Sequence, residues 1–130
     1  MYSIRIKTAS HYPINRKQIK NAITKILIER LVKDGEVSIA IVGDRQMRKL
    51  NKQYRNKDAT TDVLSFPQHD PSQKTFPFYT APNNILYLGD IVVSYPQAVK
   101  EAAREHMMVD DKILQLILHG LDHLMGIHHE

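Results

Sequence analysis

His119 and His123 stand four residues apart near the end of a strongly apolar run. On a helix that spacing puts two imidazoles on one face, one turn apart, which is how a single helix gives two ligands to one metal. Gly126 follows, a residue able to take the left-handed conformation with which many helices end. Beyond it the chain can turn back and offer a third imidazole, His129 or His128. Three neutral imidazoles without a thiolate or carboxylate suit zinc, and three protein ligands leave the fourth tetrahedral position open to water, as hydrolysis requires. A lone His on an apolar helix is more often a core or surface residue. A helical His pair, a glycine stop and a second His pair together point to a metal-dependent hydrolase. The usual metalloprotease signature is absent: HExxH needs a Glu base directly after the first His, and Gly120 occupies that position.

The elements that must position these residues follow from periodicity. Tyr2–Lys7 alternates like a strand. Asn15 is an N-cap for a helix whose apolar face is Ile19, Ala22, Ile23, Ile26, Leu27 and Leu31, ended by Gly35. Glu36–Val42 is a strand with Val37, Ile39 and Ile41 on one face. Gly43 and Asp44 start a second helix running to about Arg55, and Val63–Phe66 is a short strand ended by Pro67. Residues 67–84 hold four of the six prolines and read as a long loop. Ile85–Val93 is a strand. Ser94 with Gln97 makes a capping box with Pro96 in the first turn, for a third helix running to about His106. Asp110–Met125 is the last helix, apolar around most of its circumference and therefore central. The order implies an α/β (α+β layered) domain spanning residues 1–130. Its single mixed, mostly parallel sheet of about four strands packs with four to five helices, including a buried C-terminal metal-ligand helix.

Composition narrows the class. The hydrophobic and charged shares, 42% and 25%, are those of a soluble globular protein. With no cysteine, a transition-metal site has only His and carboxylates to draw on. The N-terminus lacks an apolar signal core, and no stretch approaches the roughly 18 apolar residues of a membrane span, so the cytoplasm is expected and a membrane is not. The net charge of +4 is modest, and its distribution matters more than its total.

That distribution concentrates on the second helix. Met47, Leu50 and Tyr54 share one face, read as core, while Arg45, Arg48, Lys49, Lys52 and Arg55 form a basic stripe on another. A charge run alone is usually a solvated face. Here it leads into a polar loop, Asn56 to Asp62, before a buried strand, and such loops are where binding groups sit in α/β folds. A basic stripe beside a zinc-bound water suits a phosphodiester, because Arg clamps phosphate oxygens bidentately. Asp58, Thr60, Thr61 and Asp62 read equally as turn chemistry, and for Asp62 the structural and functional readings stand even.

Three stretches resemble the YbeY family of bacterial endoribonucleases. Leu50–Pro67 (LNKQYRNKDATTDVLSFP) is similar to its central signature, Leu88–Ser94 (LGDIVVS) to its LGDIxIS strand, and His119–His129 (HGLDHLMGIHH) to its HGxLHLxGYDH zinc motif. The resemblance covers most of the chain from about residue 36 onward. It implies a zinc-dependent, single-strand-specific endoribonuclease acting in ribosomal RNA maturation and ribosome quality control. Its partners would be single-stranded RNA, ribosomal RNA and the small ribosomal subunit, with no DNA substrate. Position by position, it implies His119, His123 and His129 as ligands of one Zn2+ and Arg55 as the catalytic arginine. Arg45, Arg48, Lys52 and Lys57 remain as substrate-binding cations. The chain departs from the motif at His128 (for Asp), Ile127 (for Tyr) and Asp122 (for an apolar residue). Asp122 is expected beside the first ligand, hydrogen-bonded to an imidazole or facing solvent. The third ligand, with only Glu130 after it, is expected to fray more readily than the other two.

Two other classes compete. One is a ribosome-assembly RNA-binding protein with a structural or vestigial metal site; a structural zinc site, however, is closed by four protein ligands, and three are evident here. The other is a metallohydrolase of small molecules or peptides, which the missing Glu and the basic stripe disfavour.

Overall fold

A computed structural model describes residues 2–68 and 86–126. Their elements run β1 (Tyr2–Thr8), α1 (Arg16–Glu29), β2 (Gly35–Val42), α2 (Asp44–Arg55), β3 (Val63–Pro67), β4 (Leu86–Ser94), α3 (Tyr95–Arg104) and α4 (Val109–Leu124). One sheet has the order β1-β2-β4-β3; β1, β2 and β4 are parallel, and β3 is antiparallel to β4. The expected mixed, mostly parallel sheet is therefore present, with four helices among the described residues.

Alternation along the strands divides the apolar residues between two cores. Val37, Ile39 and Ile41 of β2 and Ile91 and Val93 of β4 face α1, α3 and α4. On the opposite face Val42, Leu64 and Val92 pack with Met47 of α2. β1 turns Ile4 and Ile6 to the larger core and leaves Arg5 and Lys7 exposed on the α2 side. Ile113, Ile117 and Leu121 of α4 are all but inaccessible, each contributing roughly 1.5–3 kcal/mol through burial. That face anchors the helix, and its other side carries the exposed His119 and His123. No helix among the described residues is long and apolar enough to cross a membrane.

The helix ends at Asn15 and Gly126 hold as expected, and the Ser94–Gln97 box holds only in half, because the Gln97 side chain donates to Asp44 and the Ser94 amide to the Asp62 carbonyl. The Asn15 side chain accepts from the Gln18 amide at 3.0 Å, Ser94 Oγ accepts from the Gln97 amide at 3.3 Å, and Gly126 takes φ +78° just past α4. Other boundaries differ. α1 stops at Glu29, well before Gly35, because Leu31 itself takes the left-handed turn at φ 61°. Gly35 instead opens β2. α3 stops at Arg104, and His106 turns the chain at φ 56°. Pro67 is the last residue of β3, tolerated there because the strand lies at the sheet edge. Apart from Pro67 and Gln68, the proline-rich loop lies outside the described residues.

Candidate active site

A cleft of about 760 Å³ lies between the C-terminal end of α2, the edge strand β3 and α4. α4 contributes Leu116, His119, Gly120 and His123. The two imidazoles stand with ring centroids 4.5 Å apart and planes inclined at 55°. Gly120, between them in sequence, is buried on the side that meets β4. The Gly120 backbone lines the cleft, but a side chain at this position, where HExxH carries its Glu base, would run into Ile91 of β4.

Arg55 is the last residue of α2, and its side chain reaches the same cleft. Asn56 ends the helix in the left-handed conformation, φ 56°, turning the chain sharply into the polar loop. That loop is anchored from below. Buried Asn51 donates from Nδ2 to the Ala59 carbonyl at 2.8 Å. Asp44 accepts from the hydroxyls of Thr60 (3.0 Å) and Ser94 (2.8 Å) and from Gln97 Nε2 (3.1 and 3.2 Å). Burial pushes the Asp44 carboxyl up, but those hydrogen bonds and the Lys100 charge outweigh it and hold the group below its ordinary value. One carboxylate therefore ties together α2, the loop and the start of α3.

Asp62 joins the cleft to a buried charge cluster behind it. Its backbone carbonyl accepts from the Ser94 amide at 2.9 Å, its carboxylate from the Val63 amide at 2.7 Å, and the residue lines the cleft. On the far side it meets Glu101, whose carboxyl is pushed up by burial and further by the hydrogen bond to Asp62, against the opposing charge of Lys112. Lys112 is buried in α4, with Nζ 2.7 Å from Glu105, 2.8 Å from Gln115 Oε1 and 3.7 Å from Glu101. Glu105 and burial act in opposite senses on the Lys112 ammonium, and the hydrogen bond to Glu105 prevails, raising it. Sequence patterning missed this cluster, although a Lys inside the apolar run of α4 was its one visible trace.

The sequence-predicted residues are distributed unevenly. His119, His123 and Arg55 come together. Arg45 and Arg48 line a separate shallow depression with Asp58 and Thr60, where Arg48 Nε donates to Asp58 Oδ1 at 2.7 Å. Lys52 and Lys57 are exposed and do not line the cleft. Asp122 lies 3.8 Å from Arg30 Nη2, an ion pair between α4 and the end of α1, and it is not among the residues of the cleft wall. Tyr54, read from periodicity as core, is 59% exposed. It meets Phe66 edge to face at 5.0 Å and forms part of the cleft wall. His128 and His129 lie outside the described residues, among which no group of three His, Asp or Glu side chains forms a metal site.

Comparison with known proteins gives a consistent picture. The family model described as endoribonuclease YbeY matches residues 4–130. The chain is similar to the endoribonuclease YbeY of Persephonella marina, at 36% identity over 117 residues, covering 90% of this chain and 71% of that protein. It is 34% identical over 130 residues to the endoribonuclease YbeY of Chloroflexus aggregans, covering 99% of this chain and 83% of that protein. Among solved structures it resembles a Thermotoga maritima protein determined in solution, with a TM-score of 0.60 at 25% identity, covering 98% of this chain and 75% of that one.

Proposed function

This chain belongs to the YbeY endoribonuclease family, and on that premise we propose that it hydrolyses single-stranded RNA with one zinc ion. In this reading it acts in the cytoplasm, in ribosomal RNA maturation and ribosome quality control, on the small ribosomal subunit. The observation that carries the reading is that Arg55 and the His119–His123 pair, distant in sequence, line one cleft.

Two exposed imidazoles side by side on a helix fit the donor chemistry of zinc, and His129 is the third ligand by its place in the family motif. When bound, zinc supplies Lewis acidity towards a phosphoryl oxygen and lowers the pKa of water. The chain's own residues do the rest. The planar Arg55 guanidinium grips two oxygens of the scissile phosphate and offsets the charge that grows on them. Arg45, Arg48, Lys52 and Lys57 meet phosphates further along the strand, as salt-sensitive contacts without sequence preference.

The test compares native protein with His119→Ala for zinc content and for single-turnover cleavage of a single-stranded RNA and its duplex. Native protein is expected to hold about one zinc per chain and to cut the single strand. His119→Ala should lose both properties while remaining folded. Zinc affinity should fall more in His129→Ala than in His128→Ala. Native-rate cleavage by zinc-free His119→Ala would overturn the reading.

A further inference from the structure

A second groove, of about 530 Å³, opens on the other face of the sheet, where α2 packs towards β3 and β4 while β1 presents Arg5 and Lys7 beyond it. Small residues, Ser38 and Ala40 of β2, line it, and Arg5 and Lys7 stand along its far side. Arg5 is held by Glu36 at 2.9 Å yet stays 67% exposed, and Lys7 is exposed too.

Two properties identify the occupant. The first is continuity: Tyr54 and Phe66 line both this groove and the His119–Arg55 cleft, so their edge-to-face pair forms an aromatic ridge between the two. Aromatic side chains flanked by cations are the usual platform for single-stranded nucleic acid, where bases stack and phosphates find charge. The second is the polar group within the groove. Asp90 lines it and accepts from the Tyr87 hydroxyl at 2.7 Å, while that hydroxyl lies 3.3 Å from Ser38 Oγ. Burial pushes the Tyr87 phenol up, so it keeps its proton and donates. Carboxylate oxygens accept hydrogen bonds, and the lone pairs of Asp90 beyond the one that Tyr87 meets call for N–H donors.

We propose that this groove is a second nucleotide subsite for the same RNA strand, taking a base that carries an exocyclic amino group. The strand leaves the cleft over Tyr54 and Phe66, the base settles over Ser38 and Ala40 with its amino group donating to Asp90, and the flanking phosphate meets Lys7 and Arg5. Cytosine offers N4–H2 to the carboxylate. The lone N–H on the pairing edge of uracil lies between two carbonyl oxygens, which repel it. The inference rests on the nuclease reading of the neighbouring cleft.

The experiment measures binding of fluorescein-labelled octacytidine, octauridine and a cytidine dinucleotide by anisotropy, with EDTA present to hold off cleavage. Native protein should bind octacytidine about fivefold or more tighter than octauridine, and Asp90→Asn should erase that preference. Lys7→Glu and Ala40→Leu should each weaken octacytidine about tenfold, towards the affinity of the dinucleotide, which is too short to span both sites. Octamer affinities that match native in both variants, with unchanged unfolding midpoints, overturn the subsite. Cleavage assayed separately in zinc keeps the two readings apart. A native protein that binds through the groove yet cuts no RNA removes the nuclease reading alone. One that cuts RNA while neither variant alters octamer binding removes the subsite alone.

Discussion

Gly120 and Ile91 are packed so closely that a methyl group at position 120 would stand 2.9 Å from Ile91 Cγ2 and 3.3 Å from Cγ1. α4 can lie that near β4 only because the residue between its two histidines lacks a side chain. Gly120→Ala is therefore expected to destabilise by about 1–3 kcal/mol through overpacking, despite the better helix propensity of Ala. Urea unfolding checks this. A variant as stable as native would mean that α4 shifts freely on the sheet. Gly120→Glu, which recreates HExxH, should fail to fold rather than gain peptidase activity.

Arg55 ends α2 facing the histidines, and its planar fork matters as much as its charge. Arg55→Lys and Arg55→Ala should both retain zinc and fold but cleave on the order of a hundred- to a thousand-fold more slowly, by analogy with the loss of a transition-state hydrogen-bond donor. Single-turnover rates at saturating RNA separate this from weaker binding. Native rates with a raised dissociation constant would make Arg55 a docking residue.

Asp44 receives hydrogen bonds from three side chains belonging to the loop and to the start of α3. Because its folded value lies below the ordinary one, its contribution to stability is complete above the unfolded-state pKa of roughly 4 and is lost as pH falls through the lower folded value. Asp44→Ala should cost about 1–3 kcal/mol at neutral pH by stranding those donors, and less in acid. Unfolding free energies at pH 7 and pH 3 read the difference.

Lys112 faces the opposite dependence. Removing it leaves the Glu101 carboxyl buried without its counter-charge. Glu101 is already raised in the native fold, so its protonated form favours folding, and that contribution fades as pH climbs through the folded value. Lys112→Met should therefore cost about 3 kcal/mol in mild alkali, the lower end for breaking a buried pair because Glu105 is half exposed. The cost should shrink towards acid pH. Adding Glu101→Gln should recover much of the loss, and a pH-independent cost would show that packing rather than charge is at stake.

Local signals carried most of the fold. The caps at Asn15, Ser94 and Gly126 and the alternation of Val37, Ile39 and Ile41 rest on interactions within a few residues, and such interactions are written in order along the chain. The His119–His123 spacing belongs to the same class. What stayed hidden depends on elements meeting. The 47-50-54 period marks a helix face but not where the sheet beneath it stops, so Tyr54 looked like core when it forms a cleft wall. Asp62, Glu101 and Lys112 meet only after three elements pack, and none of their spacings announces it. Arg55 was separable from its basic neighbours only through the family signature, because a helical stripe gives every cation on it the same pattern. Leu31 shows the reverse failure, where a residue took a turn that the pattern assigned to glycine.

The edge strand β3 has a further consequence for how copies of this chain coexist. The Asp62 carbonyl and the Gln68 amide both bond to β4, so residues 64 and 66 direct their backbone inward as well, and residues 63, 65 and 67 direct theirs outward. The outward Val63 amide is already taken by the Asp62 carboxylate, and Pro67 has no N–H to offer. Among the described residues, Ser65 is thus the one residue of β3 whose amide points out along that border without a partner. A single donor cannot seed the repeating ladder by which exposed strands recruit one another into aggregates. The edge of a sheet is ordinarily an invitation to self-association, and here one carboxylate and one proline weaken it.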